Sequence, residues 1–494
     1  MYNFASQGGL EMKRIFIVCI FWVSLMFSGC TSDNNKDNAK DVGGDVHVIS
    51  DGGEDITDIS DNGITMLTEW DPTLPSTANL SRVRDYKVAR SIIHAHCIYS
   101  HDGCDGHSIE NGNPEEDCVL QLRDAICKLN MDAVFMTDHA ASLADEEDFS
   151  KLYYPREGDS VIEEDGKQTG NLVKCQNGAK PIIMVGSENE IMPIGITAHP
   201  SQDINERKKI YDSVDESAIE AFRKVDGVVC TAHSEGKEDE YLINSSLDCI
   251  EIYNFHVSVL TPSGLSVFME YMNQPDKMPH PDLAFLGFYE PLMQQLVKWY
   301  VTVEKRNVTA FVGTDIHRNA VTTKLSDGER LDSYRRFMRW FSNFLLVKEI
   351  KPSELKSAIR DGRVYVVAEG LGTPDGFDFY AETKNGIVDT GKSIRLEDFQ
   401  KFVIKLPTIY GIHNADMYIK ARLFKIKDKS EIDIISPVSR AEKPVLEVSN
   451  GIDKGVYAVQ ILLTPMHLKW LSKRKASEYI KEFVWIYSNA IRIE

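Results

Sequence analysis

The sequence predicts an α/β barrel followed by a smaller antiparallel β domain. Three patterns in its 494 residues carry that expectation. Between residues 76 and 370, short apolar runs alternate with helix-like segments, the rhythm of parallel strands joined by helical crossovers. Beyond residue 370 the helical segments give way to successive β-like runs. Five apolar runs in the first part also end on histidine, aspartate or glutamate, which gathers polar chemistry at one rim of a barrel.

The elements follow in chain order. Met12-Lys-Arg precedes an apolar run over residues 15–27 and then Ser28-Gly-Cys30. A positive start, a run short for a membrane span and small residues before a cut form an export signal. It is similar to a bacterial lipoprotein leader over residues 1–30, which implies lipidation of Cys30, a lipid anchor and a place in the cell envelope, periplasmic or outer-surface. Residues 31–75 are rich in Asp, Gly, Asn, Ser and Thr and read as a disordered acidic tether. Helices are expected at 118–129, 215–225, 264–273, 291–306 and 333–347. Strand-like runs beyond residue 370 lie at 377–381, 402–406, 417–424, 456–463 and 482–493. The second part, 371–494, is therefore expected to be sandwich-like.

Charge and cysteines narrow the class. A formal net charge of −20 argues against a nucleic-acid partner, whose phosphates recruit Lys and Arg. Outside the leader stand Cys97, Cys104, Cys118, Cys127, Cys175, Cys230 and Cys249, an odd set that cannot pair completely. Cys104 and Cys118 flank a polar insertion and are the expected bridge, whereas Cys230 and Cys249 sit in apolar runs and read as core.

The run ends carry the chemistry. His94-Ala-His96 closes one run and Thr137-Asp-His139 another; Glu188, His233 and Asp315-Ile-His317 close three more. Residues two apart on a strand share a face, so His-x-His can offer two imidazoles to one cation. Histidine mixed with carboxylates and no thiolate pair suits zinc, manganese or iron in hydrolysis.

At these residues the chain resembles the PHP family, named for its polymerase-associated and histidinol-phosphatase members. The likeness rests on His94-Ala-His96 with Ser100-His-Asp102-Gly, Thr137-Asp-His139, Gly186-Ser-Glu188, Ala232-His233 and Gly313-Thr-Asp315-Ile-His317, across residues 85–365. It implies a distorted (β/α)₇ TIM-like barrel holding two or three divalent ions at the strand ends. His94, His96, Glu188 and Asp315 would hold one ion, and Glu188 would bridge to a second on His199 and His233. Asp102, His139 and His317 would line a third site, with His101 able to join Asp102. Residues 353–366 and 485–493 also resemble the carbaryl-hydrolase-like branch, whose members carry a C-terminal β domain.

That resemblance implies an exported hydrolase acting on a small organic phosphate. Asp315, Glu188 and His199 would be catalytic, and Lys237 and Arg318 would contact the phosphate. A water shared by two cations would have its pKa lowered towards about 7. The same ligands serve a carbamate, ester or amide substrate, and a surface binding protein without turnover is the third reading. His256 is expected to be structural, and His467 to face solvent or a loop. The metal's identity and the oligomeric state stay open.

Overall fold

The computed structural model describes residues 63–494, apart from 108, 111–112, 260, 262–263, 265, 268–269, 271–279, 428–431 and 473–479. The leader with Cys30, the tether up to residue 62 and most of the helix expected at 264–273 lie outside the described residues. The described residues belong to one unit, Thr57–Glu494.

The fold is mixed α/β around a closed seven-stranded barrel. Its strands are β1 (Lys87–Ala95), β2 (Ala133–Met136), β3 (Ile182–Gly186), β4 (Met192–Ile196), β5 (Val228–Thr231), β6 (Cys249–Asn254) and β7 (Thr309–Ile316). β1 pairs in parallel with β2, β2 with β3, β5 with β6, β6 with β7, and β7 closes back on β1. β4 is the exception. It pairs antiparallel with both β3 and β5, so the strict strand–helix alternation fails there. Only residues 187–191 separate β3 from β4, too few for the crossover a parallel strand needs.

The strands are apolar on both faces because both are covered. Alternate residues divide cleanly. Ala133, Phe135, Ile182, Met184, Met192, Ile194, Val228 and Phe311 fill the barrel, while Val134, Met136, Ile183 and Val185 face the outer layer. That layer includes α1 (Glu116–Lys128), α2 (Glu216–Lys224) and α3 (Met293–Lys305). The ends of β1, β2, β3, β5, β6 and β7 therefore share one rim, and the carboxyl end of β4 points to the other.

The segment expected as one helix at 333–347 divides. α4 (Tyr334–Trp340) is capped by Ser333, whose Oγ accepts the Arg336 N–H at 3.2 Å. The chain then enters β8 (Ser342–Val347), antiparallel to residues 87–91 of β1. Asn343 favours the strand: its side chain accepts from the Val312 N–H at 2.9 Å and donates to the Val312 carbonyl at 2.8 Å. Then α5 (Pro352–Arg360) sends Leu355, Ala358 and Ile359 into the barrel core at the rim where β4 ends. Its Lys356 Nζ reaches the Gly195 carbonyl of β4 at 3.1 Å.

Beyond the barrel two antiparallel sheets form. One holds β8, β9 (Val364–Val367), Phe483–Ser488, Gly455–Leu463 and Ile419–Ile426. The other holds Gly386–Asp389, Asp378–Thr383, Phe399–Lys405 and Val445–Val448. Phe402 of the second meets Tyr457 of the first with ring centroids 5.1 Å apart. Pairing of β9 with Phe483–Ser488 carries the ladder across residue 370 and back to β1.

Residues 63–75, read as tether, pack against the fold. Ile64, Met66 and Leu74 are buried, and Trp70 Nε1 donates to Asp282 at 2.8 Å.

Among the described residues three disulfides form, Cys104–Cys118, Cys127–Cys175 and Cys230–Cys249, with Cys97 free and buried. The last bridge corrects the reading of Cys230 and Cys249 as plain core residues. They stand in register on β5 and β6, and both face the barrel interior.

His467 is also corrected, for it is buried with Nδ1 unpartnered. Burial pushes its pKa down to about 4 from an ordinary value near 6.5. The unfolded chain then binds the proton more readily, so this contribution is full above about pH 6.5 and is lost as pH falls towards 4. The shift is worth about 3 kcal/mol. His467→Phe is expected to flatten the acid limb of the melting temperature between pH 6.5 and 4.

Candidate metal centre

Most of the expected ligands converge at the shared rim. His94, His96, Glu188 and Asp315 each offer a ligand atom, all within 4.8 Å of one another, and all four residues are buried. His94 Nε2 lies 3.5 Å from Glu188 Oε1 and 3.2 Å from Asp315 Oδ1. His96 Nε2 lies 3.4 Å from Glu188 Oε2 and 3.3 Å from the same Asp315 oxygen. The His-x-His pair does not rest on a regular pleat. β1 is irregular between Ile93 and Ala95, and His94 has φ +78°. A bulge of this kind re-aims a side chain, and here it turns His94 towards Asp315.

Glu188 and Asp315 each face the centre with both oxygens. Glu188 Oε1 also meets His233 Nε2 at 3.2 Å, and Oε2 meets His139 Nδ1 at 3.4 Å. Asp315 Oδ2 meets His233 Nε2 at 3.4 Å and His256 Nδ1 at 3.7 Å. Beside this lies a second group: His139 Nε2 is 3.3 Å from Asp102 Oδ1, and His317 Nε2 is 3.6 Å from it. His96, His139 and His317 make a further potential ligand set, as do His101, Asp102 and His139.

The site fits cations on two grounds. His94 Nε2, His96 Nε2, Asp102 Oδ1 and Asp315 Oδ1 are buried polar atoms without a hydrogen-bond partner, although buried groups normally find one. The electrostatics also call for positive charge. Burial opposes the charges of Glu188 and Asp315, yet the charge on His94, with His233, holds both carboxyls well below their ordinary range. Burial likewise works against charge on His94, but Asp315, Glu188 and Glu251 raise it well above an ordinary imidazole. His96 goes the other way, lowered by burial and by His317. A divalent ion supplies the charge these carboxylates draw on.

Three expected site residues are engaged by other partners. His199 is not with the cluster: its Nδ1 meets Tyr211 Oη at 3.1 Å and its Nε2 the Glu146 carbonyl at 2.7 Å. β4, which precedes His199, runs antiparallel to both of its neighbours. Lys237 is paired with Glu190 at 2.7 Å. Arg318 is buried and directed to Asp117 at 3.3 Å. His256, expected as structural, is at the site.

Sequence reading missed Glu251. This carboxylate on β6 is fully buried and lies 2.8 Å from His94 Nδ1. A lone acid inside Cys249-Ile-Glu-Ile-Tyr was the available signal. Gly313 leaves the room for it: a methyl group there would stand 1.8 Å from Glu251 Oε1 and 2.9 Å from His94 Nδ1. Gly313→Ala is therefore expected to weaken Mn²⁺ binding about 10- to 100-fold by displacing that pair, measurable by calorimetric titration.

No family model matches this sequence, and no curated protein matches it either. Among solved structures, the chain is similar to a two-domain protein from Bacteroides vulgatus ATCC 8482 containing a predicted PHP-like metal-dependent phosphoesterase. Identity is 12%, the match covers 79% of this chain and 94% of that one, and the TM-score is 0.33. The geometry above stands on its own residues.

Proposed function

We propose that this protein is an exported, lipid-anchored, metal-dependent phosphoesterase of the PHP type, acting on a small organic phosphate. The observation that carries the reading is the convergence of unpartnered buried imidazole nitrogens and carboxylate oxygens at one rim. Divalent ions held there, two or three of zinc, manganese or iron, would polarise the ester and acidify water. Neighbouring ligand sets sharing His96 and His139 favour more than one ion, the arrangement that clamps an in-line displacement at phosphorus.

The chain's own residues would do the rest. Glu188 spans the two groups through separate oxygens, towards His94 and His233 on one side and His96 and His139 on the other. Asp315 is placed to accept a proton through Oδ2, which Asn254 Nδ2 orients from 3.2 Å. His256, partly exposed beside that oxygen, would protonate the leaving group. Export is supported by the leader and by three disulfides, which persist in oxidising compartments.

A second reading has its own observation. Lys237, one of the cations expected to meet a phosphate, already faces Glu190. That favours a less charged carbamate, ester or amide. Purified protein assayed with Mn²⁺ or Zn²⁺ on para-nitrophenyl phosphate, its diester and carboxyl esters is expected to release phosphate. Carbonyl cleavage alone would replace the first reading by the second, and no turnover with metal bound would leave a binding protein.

A further inference from the structure

We propose that Glu251 is a positioning residue that holds His94 and His233, ligands from opposite sides of the barrel, in binding geometry together. The inference rests on the metal-centre reading above and adds the residue that organises it. Glu251 sits on β6 between the strands that deliver its partners, with β5 leading to His233 and β7 carrying Gly313 and Asp315. Oε1 faces His94 Nδ1, while Oε2 accepts the His233 N–H at 2.9 Å and Asn254 Nδ2 at 3.2 Å. Asn254 Nδ2 also reaches Asp315 Oδ2 at 3.2 Å, so one carboxylate is connected to three residues of the centre.

Each contact has a physical consequence. Glu251 Oε2 already accepts two N–H groups, which leaves Oε1 to accept a proton from His94 Nδ1. With a cation bound, Nε2 then carries the lone pair that points at Asp315 and Glu188. Negative charge behind an imidazole also strengthens it as a donor to a metal. The bond to His233 acts on the backbone. That residue has φ +47°, a left-handed conformation that costs a non-glycine residue about 1–3 kcal/mol unless its surroundings hold it. His96 is supported differently, by the neutral Ser100 hydroxyl at 2.8 Å from Nδ1. Ser100 Oγ donates to Asp138 at 3.1 Å and accepts the His139 N–H at 3.0 Å. The two members of the His-x-His pair therefore have different supports, a carboxylate behind His94 and a hydroxyl behind His96.

The test uses the full chain. Mn²⁺ affinity is measured by calorimetry for the wild type and Glu251→Gln, and circular dichroism reports the fold. Glu251→Gln is expected to bind about 10- to 100-fold more weakly with its fold retained. Equal affinity in a folded variant overturns the proposal alone; absence of Mn²⁺ binding in the wild type overturns the metal-centre reading with it. A second measurement needs no variant. In Zn²⁺-loaded wild type, ¹⁵N-resolved histidine spectra should show His94 protonated on Nδ1 with a strongly deshielded proton. A His94 ring protonated on Nε2, or lacking that proton signal, overturns the proposal whatever the variant does.

Discussion

Replacing Asp315 with alanine is expected to abolish cation binding at the His94–His96 group and to reduce hydrolysis by at least about 10²- to 10³-fold, the scale of losing one electrostatic contact to a transition state. Asp315 lies at the centre of the site. One oxygen faces His94 and His96, and the other faces His233 and His256. No other side chain among the described residues stands between these four imidazoles in the same way. Asp315→Asn is the sharper variant, because it keeps the shape and the Asn254 neighbour while removing the charge. Its loss of activity should match that of alanine, with circular dichroism reporting a retained fold. Retained turnover in Asp315→Asn would assign the chemistry to another group.

The largest effect on stability is expected at Asp282, away from the chemistry. Its carboxylate is fully buried and accepts from Arg335 at 2.7 and 2.9 Å, from Trp70 at 2.8 Å and from Arg336. Burial works against this charge, yet Arg335, then Arg336, hold the carboxyl well below the ordinary range. Arg336 is fully buried and Arg335 nearly so. Asp282→Ala would leave two guanidinium groups in the interior with their main partner gone, a loss of about 3–5 kcal/mol. That is a large share of the roughly 5–15 kcal/mol that stabilises a folded domain. Because the folded pKa is depressed, the wild-type contribution is present above the unfolded value and disappears as pH falls through the folded one. Urea unfolding at neutral pH should show the full difference, and an unchanged midpoint would refute this account.

What was legible in the sequence was local, and what was missed depended on direction or on distant partners. A His, Asp or Glu closing an apolar run is visible without knowing the fold, and so His94, His96, Glu188, His233 and Asp315 could be named from their runs. His199 came only from the family resemblance. The sequence around Met192–Ile196 carries no mark that this strand runs backwards, and the chain beyond it takes His199 to Tyr211 and the Glu146 carbonyl instead of the ligand cluster. Glu251 was hidden for the opposite reason. It sits inside a strand rather than at its end, and its meaning comes from His94 and Gly313, which are far from it in sequence. The helix expected through residue 347 failed because Asn343 finds its partner on β7. The pairing of Cys230 with Cys249 likewise follows from strand register, which apolar patterning does not encode.

The most direct measurement is anomalous X-ray scattering from crystals grown with Mn²⁺. The account predicts a peak about 2.0–2.3 Å from His94 Nε2, His96 Nε2 and carboxylate oxygens of Glu188 and Asp315. It would be contradicted by Mn²⁺ bound only elsewhere on the protein, or by no peak at the rim under saturating Mn²⁺.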